Sequence, residues 1–221
     1  MNIIEYGHYD IASNESEIKE IITKALLFHP QTISTLPYYT KIAKSLIPKE
    51  TRLSCIVDYP FGLSDSESRN KLLETAIKNG SEIVEIVAPS HLLCNRRYDK
   101  FRKELESYTK LCTESNVEIR YMLEYKLFTP ELLYKTASIL IDYNIPVMYP
   151  SVNYLLDNIS DNILVSMLIN QKNPKIKIIV NGSAWTDDHI NTIFNNPKIY
   201  GYKTSNIYTL EKLFLKKQKN S

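Results

Sequence analysis

Apolar positions along the chain switch repeatedly between a period of two and a period near 3.6. Residues 2–6 read as a strand, and Ile18, Ile21, Ile22, Ala25 and Leu26 then recur at helical spacing within 17–28. A second strand at 32–36, a helix over 38–47 and a third strand at 52–58 follow. Ser64 with Glu67 makes a capping box for the next helix, which Asn79-Gly80 closes before a fourth strand at 82–88. The longest predicted helix covers 96–115 and sets Tyr98, Phe101, Leu105, Tyr108 and Cys112 on one stripe. The second half repeats the scheme. A strand at 118–125 leads to a helix capped by Thr129, with Pro130 at its first position, that runs to Asn144. Strands at 146–149, 175–181 and 200–204 then alternate with helices starting near Ser160, at Thr186-Asp187-Asp188 and at Tyr208.

Strands that alternate with helices form a parallel sheet, because each crossover returns the chain to the same sheet edge. Eight such units within 221 residues predict a closed α/β barrel, a single (β/α)8 domain spanning residues 1–221. The competing arrangement is an open doubly wound sheet, but no glycine-rich phosphate fingerprint follows the first strand. An apolar fraction of 43% is ample for the core this requires.

Charge and cysteine content narrow the function. The net charge is +2, and the one basic cluster, Lys212, Lys216, Lys217 and Lys219, reads as a solvated helix end. No basic face with interleaved aromatics marks a nucleic-acid partner. Cys55, Cys94 and Cys112 lack both disulfide and zinc spacing, and no His, Asp or Glu spacing argues for a metal or other cofactor. The N-terminus lacks a signal-peptide order and no apolar run approaches a membrane span, so a cytoplasmic protein without a membrane partner is expected. His91 follows the fourth strand; His8, His29 and His189 read as peripheral.

The stretch GSEIVEIVAP places Glu85 in the middle of an otherwise buried strand. Burying a carboxylate there costs several kcal/mol unless it is paired. Alternate strand residues point inward, so Glu85 shares a face with Ile83 and Val87, and Arg120 with Met122 and Glu124. Tyr149 pairs with Val147 in the same way, and Ile179 with Lys177 and Lys175. If those faces are inward, Glu85, Arg120, Glu124 and Tyr149 converge. Two readings follow: an interior ion pair that fixes packing, and a proton-transfer constellation with Glu85 as base, Tyr149 as acid and Arg120 as charge stabiliser.

The order of STLPYYTKIAKSL, CIVDYPFG, GSEIVEIVAP, EIRYMLEY and IIVNGSAWT resembles the deoxyribose-phosphate aldolase family over almost the whole chain, from Ile4 to Leu210. The resemblance implies a (β/α)8 barrel that cleaves 2-deoxyribose 5-phosphate through a lysine Schiff base. It sets Glu85 at the proton-shuttling aspartate, Arg120 at a strand-five lysine, Glu124 at a glutamate and Ser34 at a strand-two cysteine. Asp58 stands where the family has Asn or Gly before Phe-Pro. The Schiff-base lysine falls on Tyr149 and the second lysine on Ile179, so the resemblance departs from the family at both amines. A phenol forms no imine.

At the phosphate end the family's glycines and serines fall on Gly182-Ser183 and on Thr204-Ser205-Asn206, while Trp185 replaces an arginine. These turns, with Lys203, are expected to hold an anion. The function expected is therefore a divergent aldolase-like barrel, inactive or repurposed for imine-free proton transfer, that binds a small phosphorylated or carbonyl metabolite. The alternative is an active lyase with a relocated lysine, drawn from Lys126, Lys177 and Lys203. Besides the metabolite, the partner expected is a second copy of the chain in a homodimer.

Overall fold

A computed structural model describes residues 3–155 and 158–219; Asn2, expected to open the first strand, lies outside them. The strands are β1 (Ile3–Gly7), β2 (Thr32–Thr35), β3 (Arg52–Val57), β4 (Ile83–Val87), β5 (Glu118–Met122), β6 (Val147–Tyr149), β7 (Lys177–Asn181) and β8 (Gly201–Thr204). They pair in parallel, each with its sequence neighbour, and β1 closes on β8. The fold is a (β/α)8 barrel, as the alternation predicts.

Between the strands lie α1 (Glu15–Leu26), α2 (Thr40–Lys44), α3 (Ser66–Lys78), α4 (Ser90–Cys94), α5 (Tyr98–Glu114), α6 (Pro130–Asp142), α7 (Ile159–Lys172), α8 (Asp187–Asn195) and α9 (Ile207–Lys219). Local chemistry sets their ends. Asn14 caps α1 in a full capping box with Glu17, which starts that helix two residues earlier than the apolar spacing alone indicates. Ser64 does not cap α3. Asp65 takes that place, accepting from the Ser68 amide at 2.9 Å, because Ser64 is turned back to bond Asp58. Thr129 and Pro130 open α6 as expected. The fifth strand stops at Met122 rather than running to residue 125, since Tyr125–Leu127 closes into a 3-10 turn.

Three cores follow from strand alternation. Outward residues such as Val84, Ile86, Ile119 and Tyr121 pack against α3, α5 and α6, and Ile4, Tyr6, Ile33 and Tyr202 pack against α1, α8 and α9. Inside the barrel a smaller cluster contains Ile56, Val87, Met122, Val147, Tyr149 and Ile179. Among the described residues no helix is long and apolar enough to cross a membrane.

Candidate active site

Beneath that small interior core the barrel is polar. Glu5 on β1, Ser34 on β2, Ser54 on β3, Glu85 on β4, Arg120 on β5, Tyr149 on β6 and Lys203 on β8 all point inward and are almost completely buried. Register brings them level: Glu85 stands opposite Ile56 and Arg120, and Lys203 opposite Glu5 and Asn181. One Glu85 oxygen accepts from Ser34 Oγ and Ser54 Oγ, each at 2.8 Å, and the other accepts from Lys203 Nζ. The Tyr149 hydroxyl lies 2.8 Å from Glu5 Oε2 and 3.2 Å from Glu85 Oε1, and accepts from Arg120 Nη1 at 3.0 Å. Arg120 also donates to Glu5 at 2.5 Å and, through Nε, to Glu118 at 2.7 Å. The Lys203 amine sits 4.7 Å from the centre of the Tyr149 ring and 5.8 Å from that of Tyr9.

Two carboxylates and two cations thus share one desolvated space. Burial pushes the Glu85 carboxyl up, but the Lys203 charge and hydrogen bond, with Arg120 and Ser34, outweigh it and hold the group below its ordinary value. Burial pushes the Lys203 ammonium down more than Glu85 and Glu5 pull it up, and Arg120 adds to the lowering. Burial also raises the Tyr149 phenol well above its usual range, with Glu5 and Glu85 adding to this against Arg120, so it stays a neutral donor. The arrangement can accept a proton at Glu85, donate one at Tyr149, and offer an amine at Lys203.

Several expectations need correction. Lys203 was expected beside a phosphate, yet it occupies an inward strand position and is fully buried against Glu85. Gly182 was expected to offer its amide to an anion; that N–H instead donates to the Lys203 carbonyl at 3.2 Å. Thr204 Oγ1 accepts from the Asn206 amide at 3.1 Å, while Ser183 and Ser205 stand half-buried at the ends of β7 and β8. Glu124 faces inward but sits above the cluster, where it accepts from Ser151 Oγ and the Val152 amide, both at 3.3 Å. Lys126 is exposed beyond β5, and Lys177 is exposed at the opposite end of the barrel over the Tyr200 ring. Of the three lysines considered for relocation, Lys203 alone enters the cluster.

Glu5, Ser54, Tyr9 and Asn181 went unread in the sequence. Glu5 carries the same signal as Glu85, a carboxylate on the inward alternation of a buried strand. Tyr9 and Asn181 are set by tertiary structure: the Tyr9 hydroxyl donates to Asn181 Oδ1 at 3.2 Å and its ring stacks on Tyr59 at 5.5 Å, roofing Lys203. Gly7 permits this roof, since a side chain there would collide with both Tyr9 and Lys203.

A buried, charge-filled centre inside a closed barrel of parallel strands is a candidate active site. No family model matches the chain. It is 27% identical over 124 residues to deoxyribose-phosphate aldolase from Staphylococcus carnosus, a match covering 56% of each chain. It is likewise 27% identical over 93 residues, or 42% of each chain, to the enzyme of the same name from Aquifex aeolicus. The chain thus spans about half the length of the curated relatives it matches. Among solved structures, an aldolase designated QR15 superposes with a TM-score of 0.83 at 19% identity, covering 100% of this chain and 96% of that one. Deoxyribose phosphate aldolase from Aeropyrum pernix, described as a unique tetramer, superposes at 0.81 with 14% identity, covering 99% and 90%. The chain is thus similar in sequence to deoxyribose-phosphate aldolases over about half its length, and its fold matches theirs over nearly all of it.

Proposed function

We propose that the chain is a carbon–carbon lyase of the aldolase type in which Lys203, on β8, is the imine-forming amine. The observation that carries this reading is the fully buried Lys203 ammonium, its proton affinity lowered by desolvation, in direct contact with the Glu85 carboxylate. An amine nucleophile needs a lowered pKa and a base within reach, and both are supplied here. Tyr149 and Ile179 stand where the resemblance places the family's two lysines, so the amine arrives from a different strand and reaches the same carboxylate.

In the proposed cycle, Lys203 passes a proton to Glu85, and the freed lone pair attacks a substrate carbonyl. The carbonyl oxygen takes one proton from Glu85 and one from the attacking nitrogen, relayed through the Tyr149 hydroxyl, and leaves as water, giving a protonated imine and a Glu85 carboxylate. Glu85 then removes the proton of the hydroxyl two carbons from the imine carbon. The carbon–carbon bond breaks, its electrons flow into the imine to form an enamine, and an aldehyde departs. Protonation of the enamine carbon and addition of water return the amine. Arg120 remains a guanidinium throughout and compensates Glu5. Entry requires Tyr9 to leave its contacts with Asn181 and Tyr59.

A second reading is binding without catalysis, and one observation favours it: the cluster is closed and charge-balanced, as in an ion network that only fixes packing. Borohydride reduction in the presence of acetaldehyde or deoxyribose 5-phosphate separates the two. A stoichiometric adduct mapped by mass spectrometry to Lys203 supports the lyase. No adduct at any pH up to that of an ordinary lysine leaves the binding protein.

A further inference from the structure

A cavity of about 650 Å³ opens at the amino ends of the strands, the end of the barrel opposite the Tyr9 roof. Ile3, Glu118, Val147 and Lys177, the first residues of β1, β5, β6 and β7, line it. Barrel active sites lie at the other end, so this opening is not the mouth of the candidate site. It nevertheless shares a residue with that site. Arg120 is only 2% exposed, and it lines the cavity. Its Nε donates to Glu118, and its Nη1 to Glu5 and Tyr149. Nη2 bonds nothing among the described residues, and the cavity is the open space that this guanidinium borders. A guanidinium carries five N–H donors in a fixed fork, so Nη2 keeps two for a ligand.

The charges around the cavity do not balance. Glu118 is shared by two guanidiniums, Arg52 at 2.5 Å and Arg120 at 2.7 Å, and Arg120 also meets Glu5. Asp142, the other lining carboxylate, is paired with Arg102 at 3.3 Å. Lys177 makes no ion pair among the described residues, and its ammonium lies 5.1 Å from the centre of the Tyr200 ring. One positive charge is therefore left over. The carboxyl ends of α5 and α6 also point to this end of the barrel and by themselves favour a cation. Their closing carbonyls are already engaged: the Val117 amide bonds the Cys112 carbonyl and the Ile145 amide the Leu140 carbonyl, both at 2.9 Å.

We infer that this cavity is a second ligand site, for a small organic carboxylate. The carboxylate lies between Arg120 Nη2 and Lys177 Nζ, and the apolar body packs on Ile3, Val147 and the Tyr200 ring. The single unpaired charge matches a monoanion. The apolar part of the wall matches an organic body rather than an inorganic ion, and a guanidinium fork suits the plane of a carboxylate. The volume falls within the range of about 300–1,000 Å³ common to small-molecule sites. A ligand held here touches the guanidinium that holds Glu5 and Tyr149, so it reaches the buried cluster from the side opposite Tyr9.

Calorimetric titration with benzoate, beside its neutral isostere benzamide, tests this without an aldehyde. The result is thus independent of whether Lys203 forms an imine. The wild-type chain should bind benzoate about tenfold more tightly than benzamide. Lys177→Met removes the unpaired charge from an exposed position and should weaken benzoate about tenfold, the scale of one charge-assisted hydrogen bond. Glu118→Gln releases donors of Arg52 and Arg120 and should tighten benzoate several-fold, a gain that a damaged fold cannot produce. Glu131→Gln, in the first turn of α6 and beyond the opposite end of the barrel, should leave the affinity unchanged. No benzoate binding at millimolar concentration, or benzamide bound equally well, overturns the carboxylate site. An affinity that ignores both Lys177→Met and Glu118→Gln overturns it too, because the ligand then sits elsewhere.

Discussion

Two buried ion networks lie within this barrel, and they differ in kind. Outside the sheet, Arg69 on α3 reaches Asp58 and Glu104, each at 3.4 Å, and donates to the Val87 carbonyl. Its guanidinium lies 5.8 Å from the Tyr108 ring centre. Inside, Lys203 meets Glu85 alone among carboxylates, while Ser34, Ser54 and Tyr149 complete the shell. Arg69 is permanently charged and ties together α3, α5, the β3–α3 loop and the end of β4, so it is a brace. Lys203 ties down nothing but a carboxylate, and its charge is removable. Burial of charge by itself therefore marks no active site; burial of an amine next to a base makes the inner network the candidate.

The largest expected effects come from removing each cation in turn. Arg69→Met strands two carboxylates without a cation and should cost about 3–5 kcal/mol in urea unfolding. Folded Arg69→Met protein at low temperature should still form the aldehyde adduct. Lys203→Met should abolish the adduct entirely, at a smaller cost in stability, because the Ser34 and Ser54 hydroxyls still donate to Glu85 and the Arg120 charge still favours its carboxylate. Equal stability losses, with no adduct from either variant or from the wild type, would make Lys203 a second brace and erase the distinction.

The sequence exposes the two networks unequally. Eight alternations of period fixed the barrel, because a parallel strand covered on both sides is apolar throughout and each connecting helix carries its own stripe. Glu85, Arg120 and Tyr149 were legible by strand alternation, and the structure brings them within hydrogen-bond reach. Lys203 reads from the sequence as a phosphate-facing residue at the end of β8; its length lets the amine cross the barrel to Glu85 on β4, and alternation records direction rather than reach. Arg69 gave no signal at all. It lies on a helix whose other charged residues, Glu67, Lys71, Glu74 and Lys78, are exposed, and only the packing of α3 against α5 shows it buried.

A finer test lies in the proton affinity of Lys203. Glu85 pulls that affinity up while burial and Arg120 push it down. Glu85→Gln should therefore shift the pH midpoint of adduct formation lower, since the amine loses the partner that favours its charged form. At the same time the rate at the plateau should drop, by roughly 10²-fold, for want of a proton acceptor. Single-turnover trapping followed from pH 6 to 10 reads both. A midpoint that moves up, or does not move, means that the two groups do not communicate and that the short contact has no chemical role.

The smallest expected effect concerns Ser34, whose hydroxyl donates to Glu85 at 2.8 Å and helps hold its carboxyl below the ordinary value. Because that value is lowered in the folded state, Glu85 stabilises the fold above the unfolded pKa of about 4.3. The contribution is lost as pH falls through the folded value. Ser34→Ala raises the folded value, so the loss should begin at a higher pH. At neutral pH the cost should be about 1 kcal/mol, since Ser54 still donates to the same oxygen. Ser64→Ala removes a comparable hydroxyl from Asp58 in the Arg69 network and calibrates the cost of a lost hydrogen bond at pH 7. Urea unfolding between pH 3 and 7 measures both variants. If Ser34→Ala loses stability at pH 7 with its acid limb unmoved, the hydroxyl only fills space, and Glu85 owes its charged form to Lys203 and Arg120 alone.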